Sequence, residues 1–485
     1  MFAEIKRLST HISIYGLSNI ISRSLSFILL PFYTNLLDTD QFGIAQIIFA
    51  FIALSYVLYA HGIDTSFVRF NLLQEPGFTR KNVFSTAFFS ICATAVIFSA
   101  VVFFGADFFS RLCFNSEGSY RLFQWAAGIL FFDTLAILPF LVLRTEERST
   151  LFMILKVTNV ALMLLLNIWF IAIKGEGVIG IFMANFYSSL LTFLMIFPII
   201  VSRFAIQFSK EVYKELLKFG LPYIIPHLSI ISMDLIDRFF IKMFLGQSET
   251  GIYGAGYKLA MAVVLAVTAF RLAWHPFFLS IANQDNAKLI YARVLSYYLL
   301  AIGWIYLAIS YFIDDIVKIQ IPGFNCYLIN QDYWGGVAIV PLVMIAYIFS
   351  GVYVNFIVGI YIKKQSKYLP FVTGVSALLN VILNIILIPV YGIWGAAIAT
   401  VAAYAVMAAL LFVITQRFYP ITYEYGRLLR IIIVIVGMYA VAFFTPENYA
   451  AVIKLGLLIA YPLFLLLTGF FNEGERRKIR QLLHI

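Results

Sequence analysis

The sequence predicts an all-α polytopic membrane protein with about fourteen transmembrane helices. Three observations carry that prediction. Of 485 residues, 62% are hydrophobic and 12% charged, whereas a soluble domain runs at about 45–50% and about 25%. The apolar residues fall in continuous runs close to the roughly 20 residues that cross a hydrocarbon layer of about 30 Å. The runs also lack the ten-residue alternation of a membrane barrel, which leaves helices as the way to satisfy the backbone in lipid. Fourteen such spans leave only short connectors, so a soluble catalytic domain is excluded.

The first helix, 11–36, follows two basic residues and shows no small-residue cleavage site, so it reads as an uncleaved insertion signal. Helices at 42–67, 83–105, 121–143, 150–173 and 177–202 complete a first set of six, placed by apolar runs between charged or turn residues. Six more fall at 219–243, 250–282, 290–313, 334–362, 368–389 and 391–415. A pair at 428–445 and 452–471 ends the series. The seventh and eighth runs are interrupted by charges, and the thirteenth is short.

Orientation follows from the 34 Lys and Arg. One set of alternate connectors holds 23 of them, among them Lys210, Lys214, Lys218, Lys363, Lys364, Lys367 and Arg417, and the other set holds 6. Since basic connectors stay on the cytoplasmic side, both termini are expected in the cytoplasm of a bacterial plasma (inner) membrane. The net charge of +10 is then an expression of topology and of anionic inner-leaflet lipid, and no nucleic-acid partner is implied. Cys92, Cys113 and Cys326 have no paired spacing that signals a metal or disulfide framework.

Internal similarity divides the chain. Residues 166–184 read LNIWFIAIKGEGVIGIFMA and residues 383–399 read LNIILIPVYGIWGAAIA, which aligns Gly177, Gly180 and Ala184 with Gly392, Gly395 and Ala399. Two six-helix halves in parallel orientation account for the offset of about 215 residues between them. The expected organisation is an N-terminal lobe over 1–202, a cytoplasmic linker over 203–218, a C-terminal lobe over 219–415, and two further helices with a basic tail over 416–485. The linker alternates basic and apolar residues as an interfacial helix does.

Nine formal charges lie inside predicted helices: Arg23, Asp64, Asp133, Lys156, Asp234, Asp237, Arg238, Lys258 and Arg271. Each costs about 2.5–3.5 kcal/mol when it faces lipid at mid-membrane, so they are expected in a wet cavity, in pairs, or near an interface. The cations Arg23, Arg238, Lys258 and Arg271 are the candidate substrate-binding residues, a set suited to an anion such as a phosphate. Asp133, Asp234, Asp237 and His227 are candidates for ion coupling, by proton or sodium. Asp234 and Arg238, four residues apart, can pair on one helix face. Lys258 and Arg271 are thirteen apart on the eighth helix and converge only if that helix is broken.

The stretch YGLSNIISRSLSFILLPFYTNLLDTDQFGIAQI, from Tyr15 to Ile47, resembles the polysaccharide-export branch of the multidrug/oligosaccharidyl-lipid/polysaccharide exporter superfamily, the Wzx-type flippases. NIILIPVYGIWGAAIATVAAY, from Asn384 to Tyr404, is similar to that family's second characteristic segment. The resemblance implies two six-helix lobes in a V and alternating access. It also implies transfer of an undecaprenyl-diphosphate-linked oligosaccharide from the cytoplasmic to the outer leaflet for O-antigen or capsule assembly, beside other polysaccharide-assembly membrane proteins. No organic cofactor is implied. By analogy with the peptidoglycan-precursor flippase, Arg23 and Lys258 or Arg271 would meet the diphosphate, and the thirteenth and fourteenth helices would hold the lipid tail. A drug or cation antiporter of the same superfamily would favour a cavity dominated by carboxylates. A membrane polysaccharide polymerase or ligase would carry catalytic residues on a large external loop, and Asp314 to Tyr333 supplies no His or Arg for one.

Overall fold

The computed structural model describes residues 27–73, 78–114, 118–323, 325–475 and 477. Among them, helices dominate and the sole extended pairing is an isolated antiparallel bridge between Gln320 and Tyr327. Twelve helical stretches are long and apolar enough to cross a membrane, and Phe27–Leu36 and Ala451–Leu467 add two shorter apolar helices. The protein is therefore a multi-pass membrane protein, and each predicted run corresponds to one of these stretches.

In chain order the helices are α1 (Phe27–Leu36), α2 (Thr39–Ala60), α3 (Ile63–Leu73), α4 (Arg80–Phe104), α5 (Ala106–Phe114), α6 (Tyr120–Thr145), α7 (Ser149–Asn167) and α8 (Gly177–Arg203). After the linker come α9 (Lys210–Gly220), α10 (Ile224–Leu235), α11 (Asp237–Leu245), α12 (Gln247–Ala260), α13 (Ala262–Ser280) and α14 (Ala287–Val317). The last are α15 (Val340–Phe356), α16 (Val358–Ile362), α17 (Leu369–Tyr391), α18 (Ile393–Phe418), α19 (Tyr425–Phe443) and α20 (Glu447–Leu467).

Local chemistry sets the boundaries. Asp38 caps α2 by accepting from the Gln41 N–H at 2.7 Å, and Ser209 caps α9 by accepting from Val212 at 3.3 Å, each satisfying a donor the first turn leaves open. Four predicted helices are broken, the tenth at Ile357 between α15 and α16. The second is interrupted after Ala60, where His61 and Gly62 take positive φ of 35° and 76°. The seventh carries a 3-10 turn at Leu221–Tyr223 and a second break at Ile236. The eighth divides at Met261 into α12 and α13.

The two similar corners of the sequence are built alike. Gly177 and Gly392, which open α8 and α18, have φ of 55° and 60°, a left-handed turn that disfavours any side chain. Asn167 and Asn384 just before them are fully buried.

Lys210, Lys214, Lys218, Lys363, Lys364, Lys367 and Arg417 gather at one end of the bundle, called here the basic end. At the opposite, far end, α2 crosses α12 so closely that a Cβ on either Gly43 or Gly251 would collide with the other helix's backbone. Hydrogen bonds reinforce this crossing. Thr39 and Ser248 share one at 2.7 Å, the Asn35 amide donates to the Tyr327 carbonyl at 2.9 Å, and the Tyr333 hydroxyl donates to the Leu37 carbonyl at 2.9 Å. Tyr333 also meets Phe42 edge-on, with ring centroids 5.7 Å apart. At the basic end, Gly62 and Gly220 approach one another backbone to backbone, and the Arg69 guanidinium lies 4.5 Å from the Phe219 ring centroid. A cluster including Ile63, Phe67, Phe84, Leu138, Leu143 and Leu216 packs α3, α4, α6 and α9 together behind that contact.

Candidate substrate-binding site

A cavity of about 670 Å³ opens near the basic end, walled by α9, α10, α13, α15, α16 and α17, with Thr65 of α3 on its rim. Its polar lining holds Lys218, Arg271 and Lys367, together with His227 and His275, and contains no carboxylate. Tyr223, Tyr353 and Tyr361 add phenol rings and hydroxyls. With neutral histidines the lining carries three positive charges, and with no acid to answer them, the field of the cavity selects for anions. The breaks in the predicted helices shape this space. The 3-10 turn around Pro222 tilts α9 against α10, and Pro276 lies within α13 near His275. His275 is ringed by Tyr361 and Phe278 at 5.6 and 5.8 Å, and its Nε2 is buried with no protein partner.

Of the eight residues singled out from the sequence, Arg271 and His227 line this cavity. Arg23 lies outside the described residues. Arg238 is placed elsewhere: its side chain is 3% exposed and its Nη1 donates to Asp237 Oδ1 at 2.7 Å. The same nitrogen donates to the main-chain carbonyl of Asp234. The direct ion pair is thus Asp237–Arg238, while Arg238 reaches the main-chain carbonyl of Asp234 in place of its carboxylate. Breaking such a pair by removing one partner would leave a buried charge unanswered. Arg238 also lies 4.3 Å from the Tyr257 ring centroid, and the Tyr253 hydroxyl donates to Asp237.

The Asp234 carboxylate takes its hydrogen bonds from phenols, with the Arg238 charge nearby but bonded to Asp237. It accepts from the Tyr404 hydroxyl at 2.7 Å and from Tyr257 at 3.3 Å. Asp133 faces Ser189 and Lys156 in the first half of the chain, and the Lys156 ammonium lies 4.2 Å from the Phe140 ring centroid. Lys258 does not join Arg271. Its ammonium is boxed by Tyr33, Phe42 and Phe49 at 5.6, 5.0 and 5.6 Å, facing α1 and α2, while the division at Met261 lets α13 turn Arg271 toward the cavity.

Lys218, Lys367 and His275 were not singled out in the sequence. The two lysines sit at helix ends, where a basic residue satisfies the orientation rule without further role, and the one signal pointing to them is their density near Pro222, Pro226 and Pro370.

A second space, about 740 Å³, is an apolar groove between α14, α15 and α19, walled by residues such as Leu299, Ile302, Phe349, Val352, Ile431 and Val436. Of the last two helices, α19 contributes to this lining and α20 does not. Tyr353 and Val354 of α15, with Ile357 just after it, face the cationic cavity, whereas Val352 and Phe356 face the groove. One helix therefore separates an anion-selective chamber from an oily one.

The sequence profile of the family described as "Polysaccharide biosynthesis protein" matches residues 33–322. The chain belongs to this family. The match agrees with the polysaccharide-export resemblance drawn from Tyr15–Ile47 and Asn384–Tyr404. An uncharacterized membrane protein of Methanocaldococcus jannaschii is 21% identical over 444 residues, covering 83% of this chain and 82% of its own length. Among solved structures, the lipid II flippase MurJ in an inward closed conformation is similar in fold with a TM-score of 0.71 and 17% identity, covering 93% of this chain and 97% of its own. An inward-facing multidrug resistance transporter of the MATE family aligns with a TM-score of 0.62 and 16% identity, over 81% of this chain and 94% of its own. At these identities the likeness establishes that this polysaccharide biosynthesis family member has the superfamily's fold.

Proposed function

We propose that this protein is a flippase that moves undecaprenyl-diphosphate-linked oligosaccharide from the cytoplasmic to the outer leaflet of a bacterial inner membrane by alternating access. The observation that carries the reading is the cavity with Lys218, Arg271 and Lys367 and no carboxylate. A diphosphate offers several anionic oxygens to these donors, and guanidinium and ammonium groups bind them with charge-assisted hydrogen bonds. The apolar groove on the other side of α15 offers the polyprenyl chain a surface continuous with the bilayer. The basic end is cytoplasmic on this reading, so the headgroup enters where the cavity opens. In this scheme the chain carries its substrate without transforming it. Coupling falls to Asp234, whose side chain is held by phenols, in preference to Asp237, whose charge is answered by Arg238.

The test is translocation of lipid-linked glycan in proteoliposomes or cells, at matched amounts of folded protein. Arg271→Ala and the double variant Lys218→Ala/Lys367→Ala should each lower translocation at least about tenfold, as expected when a charged hydrogen-bonding partner worth about 1.5–3 kcal/mol is removed. Wild type that moves no lipid-linked glycan, yet reduces accumulation of cationic drugs, would place the protein with the antiporters. The fold shared with the MATE transporter supports that second reading, and the missing carboxylates in the cavity count against it.

A further inference from the structure

The far end of the first half holds a cavity for which phosphate transfer has no use. It measures about 520 Å³ and lies between α4, α6 and α8. Arg121, Gln124, Trp125 and Gly128 follow one another along α6, spaced so that a single helix face presents them. Glu176, at the start of α8, stands opposite. Phe186 meets Trp125 with ring centroids 5.2 Å apart and planes at 65°, and its ring lies directly over Gly128. Tyr187 adds a third ring 6.2 Å from the indole. The half-buried indole is thus held in place by aromatic neighbours while its remaining surface lines the cavity.

The chemistry of this lining differs from that of the basic-end cavity. Arg121 and Glu176 cancel, so no net charge draws in a phosphate or a cationic drug. A fixed aromatic surface flanked by a guanidinium, a carboxamide and a carboxylate suits a ligand with apolar C–H faces and a rim of hydroxyls. The planar polar groups pair with adjacent hydroxyls, and the rings cover the C–H face at small entropic cost. Saccharides have that construction. The volume is in the ordinary range for a small-molecule site of about 300–1,000 Å³, large enough for a saccharide unit and too small for a polymer.

We infer that the cavity lined by Arg121, Gln124, Trp125 and Glu176 is a saccharide-binding subsite that receives the glycan at the far face of the membrane. The inference rests on the flippase reading and extends it by giving the glycan a docking place distinct from the diphosphate's. Export then proceeds as a hand-over, with phosphate held at one end of the molecule and sugar captured at the other.

The experiment uses the full chain in nanodiscs, titrated with the soluble repeat-unit oligosaccharide released by mild acid from the host's own lipid-linked glycan. Binding is read by tryptophan emission and calorimetry. Trp125→Ala should weaken binding about tenfold, as loss of an anchoring indole does. Arg121→Gln and Glu176→Gln alter only the exposed rim and should weaken it about threefold each, which keeps the test decisive if Trp125→Ala does not fold. In translocation assays the same variants should slow export of a full repeat unit while sparing a diphosphate lipid bearing a single sugar. Affinity unchanged in all three variants overturns the subsite, as does an emission change that follows the phospholipid composition of the disc and not the oligosaccharide. Wild type that translocates no lipid-linked glycan defeats the flippase reading itself. Wild type and variants that export every glycan length equally defeat the subsite alone.

Discussion

The two ends of the contact between the halves are closed by different means. At the far end, four segments converge: α1 through Asn35, α2 and the turn before it through Leu37, Thr39 and Gly43, α12 through Ser248 and Gly251, and the connector before α15 through Tyr327 and Tyr333. At the basic end, α3 meets α9 through Gly62, Gly220, Arg69 and Phe219, beside an open cavity and next to two backbone breaks. The far end is a fastening of directional hydrogen bonds around a helix crossing. The basic end is a contact between hinged segments. On the alternating-access reading proposed above, the far closure is undone once per cycle, and hydrogen bonds serve that purpose because water replaces them at a net cost of only about 0.5–1.5 kcal/mol each.

The largest effect is expected where the far end relies on the absence of a side chain. Gly43→Leu or Gly251→Leu should abolish closure there and lower glycan translocation at least about tenfold, since overpacking a tight contact costs about 1–3 kcal/mol or more. The half-buried Cys326, in the connector that Asn35 fastens, provides the readout. Its labelling by a membrane-impermeant maleimide should rise in these variants, and unchanged labelling would mean that the crossing does not hold the connector.

Gly62→Leu is the counterpart at the basic end. Translocation should again be lost, but Cys326 should stay as protected as in wild type while His275 becomes more accessible to a water-soluble imidazole reagent. Equal Cys326 exposure in the Gly43 and Gly62 variants would show that the ends open together and would end the comparison. Tyr333→Phe removes one hydrogen bond and should shift the far-end equilibrium about fivefold, visible as faster Cys326 labelling. Arg69→Ala, which removes the cation over Phe219, should have the smallest effect, about threefold in His275 accessibility with Cys326 labelling unchanged, as expected for an exposed cation–π contact.

The helices were legible because apolar runs in lipid leave the backbone one solution. The predicted span 391–415 became Ile393–Phe418, and 177–202 became Gly177–Arg203. The GxxGxxxA corners were legible for a related reason, because a left-handed turn demands glycine at Gly177 and Gly392 and close packing demands it at Gly180 and Gly395. The pairing of Arg238 was not legible. Four-residue spacing places two side chains on one face but does not say which acceptor the guanidinium takes, and Arg238 takes the neighbouring Asp237 carboxylate and the Asp234 carbonyl. Nor could the far-end fastening be read, since Asn35–Tyr327 and Leu37–Tyr333 join residues almost 300 positions apart and such pairs leave no local pattern. Arg271 and His227 were found because a charge or an imidazole within an apolar run is conspicuous. Lys218 and Lys367 were missed because at a helix end a lysine is commonplace.

The position of α15 has a consequence for how cargo is measured. A helix is about 10 Å across with its side chains, and on the flippase reading this one stands between the seat of the charge and the seat of the chain. With recognition of the sugar left to the far-face cavity beside Trp125, the protein at this helix gauges neither the length of the glycan nor the number of isoprene units. It gauges the joint between them, as a toll barrier checks axle width and ignores the load. A lipid whose charge sits at the right remove from its hydrocarbon is admitted at this step whatever glycan follows, so a change of surface sugar with the same anchor would have to be met by changes in the far-face cavity alone.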